Sequence, residues 1–428
     1  MNYVISKIVK NEYVFSILSR GVSIALSLLQ SILIARYLGP ALQGNMAYIT
    51  SVSSIGAIII TFGIHQAYPY LKKKYGKDAI YNKYLSNVYK HFICFGLLCV
   101  IIAIVLKDNP SYCGAFALIP FQGLANVVGY ICLIENPNKR NLWWVITGVF
   151  DIIFIILLWL LTSANWIVAV SIILFPEFIR TIIYAILIKP NTHNNSSDDM
   201  RMYSFLVKFG FFPMLALLMT TLNYKIDVLM LQQFDNITKA DIGIYSIGMS
   251  IADRIVLIPD TLKGVLVSRL SSDGDEREVA KVCRISFWAN IVVCVIVLLF
   301  GKWLVTLLYG IEYKDSYSVI LVCSFGTIFI GYFKLIAQYN IVNRKQIRNV
   351  TLLSISIIIN VILNYFLIPV YGLVGAAFAS GVGYFLSGMI FVIWFTSNTK
   401  IPLTTMFLPQ KEDYMFISIL KNRNNRKG

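Results

Sequence analysis

The chain has 428 residues, of which 57% are hydrophobic and 14% charged, and its mean hydropathy is +0.71. A soluble domain carries about 25% charged residues to cover its surface, so this composition excludes a water-soluble protein. The net charge of +16 does not indicate a nucleic-acid partner. The basic residues lie in short loops between apolar segments, as expected for cytoplasmic loops of membrane proteins.

Apolar windows of about 20 residues, long enough to cross a bilayer, recur along the chain. They predict twelve spans, near residues 13–35, 44–64, 92–106, 114–134, 142–162, 166–188, 205–231, 241–266, 285–308, 317–342, 350–370 and 372–396. The predicted fold is an all-α polytopic membrane protein with two six-helix bundles. The predicted domains are an N-terminal bundle (1–188), a polar cytoplasmic linker (189–204), a C-terminal bundle (205–396) and a basic cytoplasmic tail (397–428).

The distribution of basic residues predicts the orientation of these spans. Of the 37 Lys and Arg residues, 26 fall in one alternating set of loops and termini, with Lys208 at the start of span 7 counted in the adjoining loop. Four fall in the other set, and seven within spans. Because cytoplasmic loops are enriched in Lys and Arg, the richer set is expected to face the cytoplasm. This places both termini in the cytoplasm and supports an even number of spans.

Twelve ionisable residues fall within the predicted spans, apart from Lys208 and Asp241, which lie at span starts and are counted with the loops. An ionised side chain at the centre of a transmembrane helix costs about 2.5 to 3.5 kcal/mol on insertion scales, so retained charges usually face protein or water and mark function. The basic ones are Arg20, Arg180, Lys225, Arg254, Lys263, Lys302 and Lys334. The acidic ones are Asp151, Glu177, Asp227, Asp253 and Asp260.

Spacing separates structural from functional candidates among these charges. Glu177 and Arg180 are three residues apart, as are Asp260 and Lys263, so each pair can neutralise itself on one helix face. Three of the other basic residues, Arg20, Arg254 and Lys334, have no acidic partner three or four residues away on the same helix, which favours a functional role. Lys302 lies near the outer end of its span, where its long side chain can reach the interface.

Prolines mark two of these acidic residues as sites of helix opening. Pro176 precedes Glu177 and Pro259 precedes Asp260. A proline removes one helical hydrogen bond, and transporters often open a helix near the substrate in this way. A tolerated kink that shapes packing is the alternative interpretation.

The chain carries none of the motifs that mark a catalytic or cofactor site. It has no P-loop, nucleophile elbow or D-x-D sequence. Its seven cysteines show no C-x-x-C spacing, and its three histidines are scattered. We therefore expect no enzyme activity, no cofactor and no metal site.

Three helix joints carry a family resemblance. They are the R-Y-L-G-P turn after span 1, the joint between spans 7 and 8, and Ile368–Ala377 between spans 11 and 12. Together they resemble the Wzx-like polysaccharide flippases of the multidrug/oligosaccharidyl-lipid/polysaccharide exporter superfamily. The motif residues of the first two joints are Arg36, Gly39, Pro40, Gly44, Gly243 and Tyr245.

This resemblance implies a V-shaped pair of bundles that work by alternating access in the bacterial inner membrane. The implied substrate is a polyprenyl-diphosphate-linked oligosaccharide, flipped to the periplasmic leaflet for O-antigen or similar surface polysaccharide. Candidate partners are the lipid bilayer, a proton or sodium ion, a polysaccharide polymerase and a chain-length regulator.

We assign roles to the charged residues on this basis. A diphosphate is anionic, and arginine can bind two of its oxygens at once. The expected cationic substrate site comprises Arg20, Arg254, Lys334, Arg180 and Lys225, with Arg20 and Arg254 foremost. The expected ion-coupling residues are Asp227, Asp253, Glu177 and Asp151.

Two alternative functions remain at this point. A multidrug or cation exporter of the same superfamily would need an acidic site, whereas the in-span charges number seven basic and five acidic. A membrane polysaccharide polymerase or glycosyltransferase would need a substantial external catalytic loop. The predicted outer loops are about ten residues or shorter.

Overall fold

A computed structural model describes residues 12–188, 200–272, 275–343 and 345–410. In this part of the chain the secondary structure is helical, without strands. The helices are α1 (Glu12–Thr61), α2 (Tyr68–Tyr75), α3 (Lys77–Val105), α4 (Pro110–Glu135), α5 (Pro137–Leu161), α6 (Trp166–Leu187), α7 (Met200–Leu231), α8 (Lys239–Ala252), α9 (Leu257–Ser272), α10 (Glu276–Tyr309), α11 (Ser316–Val342), α12 (Gln346–Thr399) and α13 (Leu403–Phe407). Three short 3₁₀ segments are Ile64–Ala67, Asp253–Val256 and Ile311–Tyr313.

The predicted number of spans is confirmed. Across the described ranges, ten helical segments are long and apolar enough to cross a membrane, with α8 and α9 joined as one segment. Two of the ten, α1 and α12, are each broken by a glycine with positive φ, Gly39 (69°) and Gly372 (56°). Because each broken helix holds two spans, the ten segments correspond to twelve spans.

Several helices extend beyond the predicted spans. Helix α3 begins at Lys77 instead of near residue 92, and α10 begins at Glu276 instead of near residue 285. These extra turns carry polar residues, so the apolar windows excluded them although the helical geometry continues. Helix α7 begins at Met200, within the predicted linker. Residues 189–199 of that linker and 411–428 of the predicted tail lie outside the described residues.

The chain forms two compact units, divided after Gly243. The core of the first unit is built from buried apolar side chains of α2, α3, α4 and α6, including Tyr68, Tyr84, Val127 and Tyr184. The predicted boundary between the two bundles lies at residues 189–204, before α7, whereas the compact units divide after α7. The predicted bundle boundary stays a prediction.

Glycine allows α7 to pack closely within the first unit. Gly63 and Gly210 meet backbone to backbone, and a Cβ added at either residue would clash with main-chain atoms of the other segment. Gly63 also has φ of 63°, which strains any L side chain. The end of α1 is therefore held directly against α7.

In the second unit, α11 packs along α12 through small residues. A Cβ at Gly326 would clash with the backbone at Gly381. The sequence Gly375–Gly383 therefore serves the close helix packing that its small residues predict.

The short helix α13 is docked onto α10 and α11 by side-chain donors. Arg284 donates to the carbonyl of residue 405 at 2.7 Å, Tyr332 to that of residue 406 at 3.0 Å, and Trp288 to that of residue 407 at 2.8 Å. Carbonyls at a helix end have no partner within the helix. Three consecutive ones are satisfied here by two other helices.

Candidate functional site

The structure collects six of the in-span charges into two clusters, one within each compact unit. The acidic triad consists of Asp151, Glu177 and Arg180. The basic triad consists of Asp260, Lys263 and Lys334. The two same-helix pairs predicted from spacing, Glu177–Arg180 and Asp260–Lys263, are both confirmed.

Arg180 joins two carboxylates in the acidic triad. It donates from Nη2 to Asp151 Oδ2 of α5, and from Nη1 to Glu177 Oε1 of its own helix at 3.0 Å. The Asp151 side chain is only 8% exposed. Gln30 of α1 also donates to Asp151 Oδ2 at 3.2 Å. With all groups ionised, the triad carries one net negative charge.

An aromatic ring further restrains Arg180. Its guanidinium lies 5.0 Å from the ring centroid of Trp144, and that of Arg140 lies 4.7 Å from the same ring. Such cation–π contacts contribute about 0.5 to 2 kcal/mol each. The Nε of Arg180 is buried and donates no hydrogen bond to any of the described residues.

The basic triad has the opposite balance of charges. Asp260 accepts from Lys263 at 2.6 Å and from Lys334 of α11 at 2.8 Å, which leaves one net positive charge. Lys334 of α11 therefore has an acidic partner, Asp260, on a different helix, α9. Asp260 lies in the first turn of α9, directly after the 3₁₀ segment Asp253–Val256.

The two prolines differ in their effects. Pro259 lies just after the interruption between α8 and α9, which agrees with the predicted helix opening. Helix α6 continues through Pro176 without interruption, so the alternative interpretation of a tolerated proline applies there.

Arg254 and Asp253 lie in the 3₁₀ segment and are half-buried. The Nε of Arg254 is buried, and it donates no hydrogen bond to any of the described residues. This N–H group lies in the 3₁₀ segment that separates two α-helices. It is available to donate a hydrogen bond to a ligand.

The remaining charged candidates differ in exposure. Asp227 of α7 is buried at 1% exposure, and Lys225 is half-buried on the same helix. Arg20 is exposed near the beginning of α1. None of these three belongs to either triad.

The glycine motif residues have a packing role in the first unit. Gly39 supplies the positive φ that breaks α1, and Pro40 follows it. A Cβ on Gly44 would clash with the carbonyl oxygen of Lys239, and one on Gly243 with that of Pro40. The beginning of α8 therefore crosses the second half of α1 in direct backbone contact.

The two other motif residues differ from each other. Tyr245 is fully buried in the second unit, where its hydroxyl lies 2.9 Å from Ser380 Oγ. Arg36 is exposed on α1.

Sequence reasoning missed Gln30 and Trp144, which both contact the acidic triad. Gln30 could have been found as an amide in the middle of an apolar span, and Trp144 as an aromatic residue four positions after Arg140. Among the described residues, no group of three or more His, Cys, Asp or Glu side chains could hold a metal ion.

Helices of this number and length, with charged triads among them, define a multi-pass α-helical membrane protein. The fold matches a lipid II flippase, MurJ, in an inward closed conformation, with a TM-score of 0.73 and 18% identity over 92% of this chain and 89% of that one. It also matches an inward-facing multidrug resistance MATE family transporter of the MOP superfamily, with a TM-score of 0.65 and 13% identity over 90% of this chain and 98% of that one.

The family model described as "polysaccharide biosynthesis protein" matches residues 9–260. The chain belongs to this family, and the predicted resemblance is confirmed. The two structural neighbours are named as a flippase and a transporter. An uncharacterized membrane protein of Methanocaldococcus jannaschii, MJ1068, is 32% identical over 101 residues, which are 23% of this chain and only 19% of that protein.

Proposed function

We propose that this protein flips a polyprenyl-diphosphate-linked oligosaccharide from the cytoplasmic to the periplasmic leaflet of a bacterial inner membrane. The family match over residues 9–260 carries this proposal. The flipped unit would serve the synthesis of O-antigen or a similar surface polysaccharide. The distribution of Lys and Arg supports cytoplasmic termini, and a polymerase with its chain-length regulator would use the product.

The diphosphate requires cationic contacts along its path. We assign these to Arg254, whose buried Nε is available in the 3₁₀ segment, and to Arg20 and Lys225. Arg180 and Lys334 are each paired with a carboxylate, and the opening of a triad would make both charges available to the diphosphate. Alternating access, with bundles at residues 1–188 and 205–396, is the proposed mode of transport, and the opening of a triad requires a rearrangement of helices within one bundle.

The energy source in this proposal is a proton or a sodium ion. Asp151, Glu177, Asp227 and Asp253 are the candidate carboxylates for it. Asp151 and Glu177 share one guanidinium, so an added cation would neutralise the remaining charge of the acidic triad. Transport into liposomes under an imposed proton or sodium gradient distinguishes the two ions.

Deletion of the gene tests the flippase assignment. Lipid-linked oligosaccharide should accumulate on the cytoplasmic leaflet while surface polysaccharide is lost, because the units are made but not presented outside. Normal surface polysaccharide in the deletion strain would contradict the proposal.

Charge removal tests the substrate site. Arg20→Ala and Arg254→Ala should each abolish complementation of the deletion at normal membrane abundance, and Lys at either position should restore part of it, because Lys keeps the charge but loses the planar fork. Arg277→Ala, at an exposed arginine near the beginning of α10, is the matched control and should complement fully. Fully active Ala variants at both positions would refute the site assignment.

The acidic triad favours one second candidate, a cation or multidrug exporter. Its two carboxylates against one guanidinium would suit a cationic substrate. Loss of resistance to cationic drugs in the deletion strain, with normal surface polysaccharide, would support this alternative.

A further inference from the structure

The short helix α2 has two chemically different faces. Its sequence, YPYLKKKY, contains three lysines and no acidic residue. Tyr68 and Leu71 are buried in the core of the first unit. The exposed face holds two aromatic and two cationic side chains: Tyr70, Lys73, Lys74 and Tyr75. This distribution is typical of an amphipathic helix at a membrane surface.

A buried carboxylate fixes the inner face of α2. Glu135, at the end of α4, has a side chain only 4% exposed. It accepts from the hydroxyl of Tyr68 at 2.5 Å, from Lys72 at 2.9 Å and from Lys77 of α3 at 2.6 Å. These three donors offset the desolvation of the carboxylate. The helix is therefore held in one orientation, and its exposed face is a formed surface.

Aromatic rings extend this exposed face onto α7. The ring of Tyr70 stacks on Phe205 and Phe209, with centroid separations of 5.9 and 5.4 Å. All three rings remain between 37% and 43% exposed. Aromatic side chains at this density and exposure are typical of the interface between lipid and water.

The cationic groups lie beside these rings. Lys74 Nζ is 5.9 Å from the ring centroid of Tyr70 and 5.0 Å from that of Tyr75. Lys73 and Lys208 are also exposed, on α2 and α7 respectively. The α2 surface, defined as Tyr70, Lys73, Lys74, Tyr75, Phe205, Lys208 and Phe209, combines aromatic rings with three positive charges and no acidic residue.

We propose that the α2 surface binds the headgroup of an anionic glycerophospholipid of the surrounding bilayer. The lysines complement the phosphate charge, and the exposed rings lie against the glycerol and upper acyl region. The partner is a bilayer lipid because α2 connects two membrane-spanning helices, which places it at a membrane surface. The proposal is independent of the transported substrate.

Native mass spectrometry of the full-length protein tests this site, with phosphatidylglycerol and phosphatidylcholine as probes. Each basic residue near an anionic lipid surface contributes about 1 kcal/mol, or about fivefold in affinity. The double variant Lys73→Gln/Lys74→Gln should weaken phosphatidylglycerol binding by at least about tenfold. Phosphatidylcholine binding should not change. Because both lysines are exposed, the thermal midpoint in lipid-free detergent should match the wild type.

The matched control is Lys281→Gln/Lys345→Gln, which removes the same charge from the other unit on the same predicted side of the membrane. It should retain phosphatidylglycerol binding. An equal loss in both double variants would show a diffuse charge effect and overturn the proposal, as would unchanged binding in both. A third probe is a polyprenyl diphosphate. If Lys73→Gln/Lys74→Gln weakened the binding of this probe and left phosphatidylglycerol binding unchanged, the surface would belong to the transported lipid, and the proposal would be overturned.

Discussion

The acidic and basic triads are built alike but have opposite charge balances. Each joins a pair on one helix to a third group from a neighbouring helix. In the first unit two carboxylates share one guanidinium, whereas in the second two ammonium groups share one carboxylate. The side chains of the acidic triad are 8% to 20% exposed, and those of the basic triad 14% to 32%.

This comparison identifies which member of each triad stabilises the fold. Removal of the shared group leaves two like charges in a low-dielectric environment, but removal of an outer group from the basic triad leaves a neutral pair. The shared groups, Arg180 and Asp260, are therefore expected to be structurally essential. Lys334, the outer group that also belongs to the proposed substrate site, can be changed with little structural effect.

The largest effect is expected for Arg180→Met. Asp151 and Glu177 would then have no cationic partner, and breaking a buried ion pair costs about 3 to 5 kcal/mol. We expect the variant to be nearly absent from the membrane fraction, as measured by immunoblot. The triple variant Asp151→Asn/Glu177→Gln/Arg180→Met removes all three charges and should recover abundance. Normal abundance of the single variant would show that the triad does not stabilise the fold.

A smaller loss, about 2 to 3 kcal/mol, is expected for Asp260→Asn, because two ammonium groups are left side by side. Lys263 is 32% exposed, and its long side chain can reach water, which reduces the penalty. The thermal midpoint in detergent should fall clearly. Asp235→Asn, at an exposed residue, is the control and should not change it. A larger loss than for Arg180→Met would reverse the comparison between the triads.

His65 is a buried titratable group without the carboxylate partners of the triads. Burial lowers the pKa of His65 to about 4, below the ordinary value of about 6.5. The folded protein therefore favours neutral His65, and its stability is full above about pH 6.5 and falls as the pH drops toward 4. About 2 kcal/mol should be lost between pH 7.5 and pH 5. Thermal midpoints across this range should fall less in His65→Gln; parallel curves for the two proteins would contradict the prediction.

The smallest effect on stability is expected for Lys334→Met. Asp260 keeps Lys263 at 2.6 Å, so the remaining pair is neutral. The loss should be below about 1 kcal/mol, as for partly exposed ion pairs. A nearly unchanged thermal midpoint with reduced complementation would assign Lys334 to transport. A large loss of stability would show that the neutral pair is insufficient.

The sequence predicted the parts of the fold that depend on local pattern. Apolar windows located the twelve spans because a bilayer imposes a minimum length on each. The three-residue spacing found Glu177–Arg180 and Asp260–Lys263 because neighbours on one helix face are fixed by helical geometry. The R-Y-L-G-P turn and Ile368–Ala377 were predicted as joints between spans, and the structure shows that each joint is an interruption of a helix at a single glycine, Gly39 or Gly372.

Contacts between helices could not be predicted in this way. Asp151 and Arg180 are 29 residues apart, and Asp260 and Lys334 are 74 apart. Their pairing depends on how separate helices rotate and pack, which no single-helix pattern encodes. For the same reason, the sequence could not show that Lys334 is paired. The roles of Arg20 and Arg254 in substrate binding stay predictions.

The docking of α13 relates the order of synthesis to the order of folding. Helices α10 and α11 are made before residues 403–407, yet they carry the donors that these carbonyls accept. Until the ribosome has released this segment, Arg284, buried at 2% exposure in the finished protein, lacks one of its acceptors. A nascent chain that ends before residue 403 therefore leaves these donors of α10 and α11 without the three carbonyls that α13 supplies.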